Sequence, residues 1–212
     1  SRARRSSATL RAGGGVHCGE RGAPMTVQLN GAREITIFYE TSPGADALQW
    51  LTAEQTASGK PFLFSQGQSI LTRTWAPTQD SPGIRQTYDV RLVVPQELTA
   101  VMSAEMLTPN GEPAEGGHAF RFRMRHPVPI YLMSIAVGDL VFGAVGPRTG
   151  VWTEPSVLER GLYECADMEA MVRTVEALYG PYRWGRYDVL ILPPSFPFGG
   201  MENPRLTFLT PT

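Results

Sequence analysis

The spacing of apolar residues changes near residue 140, and this change constrains the fold more than any other feature of the sequence. Before it, apolar and polar residues alternate in three short segments, Glu34–Glu40, Thr87–Val94 and His118–Arg125. Alternation with a period of two residues is typical of half-buried strands. We therefore predict a mainly β N-terminal region, folded as an antiparallel sandwich or saddle-shaped sheet.

After residue 140, apolar residues recur at a spacing of three and four, which predicts an amphipathic helix. Glu154-Pro155-Ser156 resembles a helix start and Gly180-Pro181 a helix end. We predict one helix of four or more turns between about residues 155 and 180. Its apolar face would comprise Val157, Gly161, Cys165, Met168, Val172, Val175 and Leu178.

Two short apolar segments follow the helix and predict strands, Tyr187–Leu192 and Leu206–Leu209. The second region would therefore have an α+β fold. We divide the chain into a leader (1–22), an incomplete N-terminal β domain (23–140) and the start of a second domain (141–212).

Val128–Gly146 is apolar over nearly the length of a membrane span. Pro129, Gly138 and Asp139 interrupt it, which disfavours a helix in lipid. We predict a buried β-strand here and no insertion into a membrane.

Charge and cysteine content exclude several classes of function. The formal net charge is −1 and 18% of residues are charged, so no electrostatic field favours nucleic acid as a partner. Cys18 and Cys165 match no Cys-x-x-Cys pattern, which disfavours a cysteine metal site and fits a reducing, cytoplasmic location.

Residues 1–22 are rich in arginine and poor in acids, as transit peptides are. No apolar periodicity accompanies the arginines. We expect a disordered or non-native leader rather than a targeting signal.

The segment Pro193–Pro204, PPSFPFGGMENP, carries the most chemical information. Gly199 and Gly200 would allow another backbone, such as an extended peptide, to approach closely. Glu202 would then place a carboxylate beside the peptide, where it could bind an α-ammonium group. An ordinary turn is the alternative interpretation of the same residues.

This segment resembles the Gly-x-Met-Glu-Asn exopeptidase motif of the gluzincin zinc aminopeptidases. The segments GPYRWGRYDVLILPPSF and ALQWLTAEQTASGKPFLFSQGQ also resemble the leukotriene A4 hydrolase and aminopeptidase B branch of that family. The resemblance extends from about Gly19 to Thr212 and is interrupted around Leu107–Gly117. It implies that residues 141–212 begin a thermolysin-like catalytic domain.

The resemblance also implies roles for individual residues in binding a peptide substrate with a free N-terminus. Glu202 would bind the terminal amine, Gln68 would assist it, and Gln66 would lie in the same pocket wall. Contacts to the substrate backbone and to its first side chain would involve Gly199, Gly200, Met201 and Phe198. The hydrolase has tyrosine where this chain has Phe198, which favours aminopeptidase activity over epoxide hydrolysis.

The family binds zinc through H-E-x-x-H and a later glutamate. The three histidines of this chain, His17, His118 and His126, lie in no such pattern. We therefore expect zinc only in a longer protein, the parent protein, of which this chain would be an internal part. No catalytic residue and no metal ligand is expected among the 212 residues themselves.

A non-catalytic peptide-binding or structural β module is the alternative. An H-E-x-x-H motif shortly after Thr212 would favour the enzyme, and a stop codon there would favour the module.

Overall fold

The computed structural model describes residues 7–11 and 25–211. The ten strands that precede residue 140 in this part of the chain are β1 (Ser7–Arg11), β2 (Glu34–Phe38), β3 (Leu48–Leu51), β4 (Phe62–Ser65), β5 (Arg85–Val94), β6 (Thr99–Met102), β7 (Glu105–Met106), β8 (Glu112–Ala114), β9 (Gly117–Pro129) and β10 (Ile135–Gly138). They are followed by β11 (Val141–Gly146), β12 (Thr149–Thr153), α1 (Leu158–Glu164), α2 (Met168–Tyr179), β13 (Tyr187–Ile191), β14 (Gly200–Met201) and β15 (Leu206–Leu209).

Two antiparallel sheets form most of the N-terminal region, and β1 and β2 form a separate two-stranded parallel sheet. One has the order β3-β4-β10-β6, and the other has the order β5-β9-β7, with β8 also paired to β9. Alternate residues of β9, including Phe120, Phe122 and Met124, are buried and pack with Met102 and Ile135. The predicted mainly β N-terminal fold is confirmed, and β9 continues beyond the predicted Arg125 to Pro129.

The second region is a five-stranded sheet in the order β11-β12-β13-β15-β14. Strands β12, β13 and β15 are parallel, and α1 and α2 connect β12 to β13. A crossover helix is the usual connection between parallel strands. The predicted change to an α+β fold is therefore confirmed, whereas the domain boundaries stay a prediction.

One hydrophobic cluster joins the two regions. It contains Phe62 and Phe64 of β4 together with Leu190 of β13 and Phe208 of β15. Because each of these side chains is at most 1% exposed, the two regions share a core that fixes β4 against the five-stranded sheet.

The single helix predicted between residues 155 and 180 is wrong, because the structure has two helices there. The ψ angle of Cys165 is 9°, and the Ala166 amide bonds to Tyr163 O in a turn, so the helical ladder stops. Helix α2 then begins after Asp167, a residue type that favours helix starts. The predicted apolar face also turns away from the core at its end, since Val175 is 53% and Leu178 is 71% exposed.

The single buried strand predicted for Val128–Gly146 is also wrong. This segment contains the end of β9, a 3-10 turn at Ile130–Leu132, and strands β10 and β11. Gly138 and Asp139 form the turn between the two strands, and Asp139 forms a salt bridge with Lys60. The described residues contain no helix long and apolar enough to cross a membrane.

Strand β2 forms as predicted, but it is not half-buried. Ile35 is 41% and Phe38 is 56% exposed, because β2 pairs in parallel with β1 and with no other strand of the described ranges. Strand β1 lies inside the segment for which a disordered leader was expected. Backbone pairing with β2 supplies the order there, and residues 1–6 and 12–24, with His17 and Cys18, lie outside the described residues.

Candidate functional site

The first part of the candidate site lies at the end of β4, which is buried along its whole length. The Gln66 amide continues the strand by bonding to Ala47 O at 2.8 Å. A Cβ atom at Gly67 would lie 2.5 Å from Thr72 Oγ1 and 2.9 Å from Tyr131 O, so only glycine fits. Gly67 thus turns the chain between the partly buried Gln66 and the exposed Gln68.

The second part is strand β14, which lies at an edge of the five-stranded sheet as far as the structure describes it. Gly199 has a φ angle of +71°, which glycine adopts without strain, and no atom lies within 4 Å of the position of its missing side chain. Gly199 O accepts a hydrogen bond from the Thr210 amide, which holds this turn against the end of β15. The turn at Gly199 therefore has open space on the side where a side chain would project.

Solvent exposure differs sharply among the three residues that follow Gly200, namely Met201, Glu202 and Asn203. Met201 is 6% and Asn203 is 2% exposed, whereas Glu202 faces solvent. One carboxylate oxygen of Glu202 lies 3.4 Å from the position that a Gly200 Cβ would occupy. The carboxylate therefore lies beside Gly200, and its role in binding a substrate stays a prediction.

A contact between side chains joins the two parts. The Gln66 amide group lies 3.6 Å from Met201 Sδ, although the residues are 135 positions apart in sequence. Met201 also belongs to the cluster that contains Phe62 and Phe64 of β4. The shared core thus brings Gln66 beside Met201 of β14, the residue before Glu202, while a shared ligand between Gln68 and Glu202 stays a prediction.

Phe198 is 59% exposed and lies at the end of an aromatic stack. Its ring centroid is 5.6 Å from that of the buried Phe196, which in turn packs edge-to-face on Phe64 at 5.3 Å and Phe208 at 6.3 Å. Edge-to-face packing fixes the orientation of such rings. Phe198 therefore offers an exposed aromatic surface on a rigid support.

Three residues that shape the site were not assigned from the sequence, namely Gly67, Phe196 and Asn203. Asn203 places its amide nitrogen 3.5 Å from Met201 O, and its Oδ1 atom is buried without a partner among the described residues. The only sequence signal for these residues was their position inside the two motifs.

No three His, Cys, Asp or Glu side chains approach closely enough to hold a metal ion within residues 7–11 and 25–211. The described residues therefore do not fit a zinc site. They combine an exposed carboxylate, an amide group, a glycine-lined sheet edge and an aromatic surface, which are groups that bind and orient a peptide.

Comparison with known proteins gives a match to the family model of the peptidase M1 N-terminal domain over residues 22–132. The chain is 47% identical to leukotriene A-4 hydrolase of Xenopus laevis over 204 residues, which cover 91% of this chain and 33% of the relative. It is 46% identical to aminopeptidase B of Mus musculus over 180 residues, covering 84% of this chain and 27% of the relative.

Among solved structures, that of yeast LTA4 hydrolase in complex with bestatin superposes with a TM-score of 0.74 at 38% identity. The match covers 81% of this chain and 26% of the yeast chain. The chain thus spans about a third or less of the length of the relatives it matches.

Proposed function

Since the chain belongs to the peptidase M1 family, we propose that it forms the substrate-anchoring portion of a zinc-dependent aminopeptidase. The observation that carries this proposal is the position of Glu202, which is exposed and lies beside Gly200 at an edge of the described sheet. The relatives named leukotriene A-4 hydrolase and aminopeptidase B support the enzyme class. A cytoplasmic location is part of the same proposal.

Recognition of a free N-terminus follows from the chemistry of these groups. The Glu202 carboxylate would accept charge-assisted hydrogen bonds from the α-ammonium group of a peptide. The side-chain amide oxygens of Gln66 and Gln68 would accept further hydrogen bonds from it. Because the carboxylate occupies one end of the glycine-lined edge, the terminal amine fixes which peptide bond lies next along that edge.

Phe198 would contact the side chain of the first substrate residue. Its exposed ring is apolar, and the stack on Phe196 holds it in place. Contact with this ring would favour substrates whose first side chain has an apolar or flat cationic surface.

In this proposal, residues of the parent protein other than these 212 would hold the zinc ion, which would supply an activated water for hydrolysis. The residues described here would act only on the substrate: they bind its amine, align its backbone and hold its first side chain. On its own, the chain is proposed to position peptides without cleaving them.

The first experiment compares Glu202→Gln with the unchanged parent protein on substrates with a free and an acetylated N-terminus. Loss of a hydrogen bond to a charged group costs about 1.5–3 kcal/mol, so we expect kcat/KM for free-amine substrates to fall roughly 10- to 150-fold. Any slow turnover of acetylated substrates should not change. Glu159→Gln, an exposed glutamate on α1, is the matched control and should leave both rates unchanged.

The second experiment measures zinc content and turnover of arginyl and alanyl aminopeptidase substrates by the 212-residue chain alone. Zinc near one equivalent with chelator-sensitive turnover would mean that the active site lies within these residues. A parent protein that binds peptides without turnover would support the non-catalytic module instead.

A further inference from the structure

An open cavity of about 630 Å³ lies between the two regions of the chain. One wall comes from β6, β7 and the loop after β7, and the opposite wall comes from β11, β12, β13 and β15. None of the residues of the candidate site lines it. A cavity of this size accommodates a small organic molecule. Its apolar lining includes Met102, Met106, Phe122, Phe142, Trp152 and Leu206.

The five-stranded sheet gives this cavity an aromatic wall. Gly150 pairs with Asp188, and Asp188 pairs with Leu206, so these three residues lie on one face of the sheet. Because Gly150 has no side chain, the ring of Phe142 lies over it, with Cζ 2.2 Å from the position that a Cβ would occupy. The rings of Phe142 and Trp152 are 5.0 Å apart between centroids and tilted by 46°. Phe142 is 40% exposed and therefore accessible to a ligand.

The charged groups around the cavity leave one positive charge without a partner. Arg186 donates to both carboxylate oxygens of Asp188, at 3.0 and 2.8 Å, so these two charges neutralise each other. The Glu105 carboxylate lies 3.5 Å from Arg125 Nε, which forms a second pair. Arg205 also lines the cavity and forms no salt bridge within residues 7–11 and 25–211. A single anionic group would therefore complete the balance of charge.

The conformation of Arg205 differs from that of an ordinary surface arginine. Its φ angle is +69°, in the left-handed region that residues with a Cβ atom rarely adopt. The guanidinium is partly buried and donates a hydrogen bond to Trp184 O, which uses one of its five N–H groups. Burial lowers the pKa of the Arg205 guanidinium below its ordinary value, because desolvation disfavours the charged form. An anion that accepts from the remaining N–H groups would offset this cost.

We propose that the cavity binds a small aromatic carboxylate, with its carboxylate on the Arg205 guanidinium and its ring against Phe142 and Trp152. The planar fork of arginine matches the two oxygens of a carboxylate, and flat rings pack on aromatic side chains. A dianion such as phosphate would face the carboxylates of Asp188 and Glu105, which favours a ligand with a single negative charge. The proposal goes beyond aminopeptidase function, since it needs neither the amine site nor catalysis.

The first test is calorimetric titration of the parent protein with three probes. Naphthylacetate joins a flat ring to a carboxylate, naphthylacetamide keeps the ring without the charge, and octanoate keeps the charge without the ring. We expect saturable binding of one equivalent of naphthylacetate, and affinities at least about tenfold lower for the other two probes, because each lacks one of the two contacts.

The second test repeats the titration with variants of Arg205. Arg205→Asn removes the charge but tolerates the left-handed backbone, and it should weaken naphthylacetate binding roughly 10- to 150-fold, as expected for a lost hydrogen bond to a charged group. Arg205→Lys keeps the charge without the fork and should show a smaller loss. Arg173→Gln, at an exposed arginine on α2, is the matched control and should bind as the unchanged protein does.

Thermal unfolding without ligand checks that each variant is folded. If Arg205→Asn is unfolded, Phe142→Leu at the partly exposed aromatic wall supplies an independent variant, which should weaken naphthylacetate but not octanoate.

Three results would each overturn the proposal: no saturable binding of naphthylacetate, equal affinity for naphthylacetamide, or unchanged affinity in folded Arg205→Asn or, in its place, in Phe142→Leu. A peptide that ends in a free phenylalanine carboxylate and binds more tightly than naphthylacetate would assign the cavity to a polypeptide C-terminus and overturn it as well.

Discussion

Removal of the Glu154 side chain tests whether one buried carboxylate holds the two regions together. Glu154 follows β12 and is 3% exposed. Its Oε2 atom accepts a hydrogen bond from the Ala57 amide at 3.0 Å, and its Oε1 atom accepts one from the Ser58 amide at 2.8 Å. Both amides belong to the loop before β4, so this single side chain connects the N-terminal sheets to the five-stranded sheet.

The expected cost follows from these two bonds. A hydrogen bond to a charged group contributes about 1.5–3 kcal/mol, and Glu154→Ala removes two of them. Ala57 is exposed, so water can replace part of the lost bonding, and we take the lower end, about 3 kcal/mol in total. For a chain of this size the Tm should fall by about 6–12 °C.

The assay is thermal unfolding followed by circular dichroism, together with amide hydrogen exchange at Ala57 and Ser58. Glu154→Gln keeps one acceptor oxygen and should lose about half as much stability. Glu159→Ala removes an exposed carboxylate and is the control, with a change below about 1 kcal/mol. The proposed role of Glu154 in connecting the two regions would be refuted by two results together. These are a Tm for Glu154→Ala within 1 °C of that of the unchanged chain, and unaltered hydrogen exchange at the Ala57 and Ser58 amides.

Three further predictions concern other parts of the structure. Hydrogen bonds from Arg148 lower the pKa of Glu176 to about 2 from an ordinary value of 4.5. The contribution of the Glu176 carboxylate to stability should therefore be complete above about pH 4.5 and disappear as the pH falls towards 2. Glu176→Gln should flatten the pH dependence of the Tm between these two pH values. Gly117→Ala should lower the Tm markedly, because φ is +149° and the new Cβ would lie 1.9 Å from Val94 O, whereas Gly116→Ala, with open space around its Cβ position, should cost less in the same melting experiment. Phe122→Ala should cost about 3–5 kcal/mol in denaturant unfolding because the side chain is 1% exposed, and an equal effect of the neighbouring exposed Arg121→Ala would contradict this.

Local patterns in the sequence were sufficient for the class of fold and for most of its elements. The two-residue alternation in Thr87–Val94 and His118–Arg125 predicted β5 and β9, because the period of a strand and the side of its apolar residues are local properties. The change of period near residue 140 likewise predicted helical structure before β13. Part of the candidate site was also local, since Glu202 follows Gly200 by two residues and its carboxylate lies beside it.

The tertiary structure decided which segment, if any, packs against each apolar face. The same spacing that predicted one continuous helix gave two, and it could not show that Val175 and Leu178 face outward while Met168 faces the core. Periodicity identifies the apolar side of a helix or strand, but what covers that side depends on which distant segment packs there.

The contacts that assemble the site have the same origin. Gln66 contacts Met201, which is 135 positions away in sequence, and Glu154 accepts a hydrogen bond from Ser58, which is 96 positions away. Both contacts form because the shared core places β4 against the five-stranded sheet. No local pattern encodes such pairs, since each partner alone is consistent with an ordinary turn or a surface position. The sequence determined the candidate groups of the site, and the packing of the core decided that Gln66 lies beside Met201.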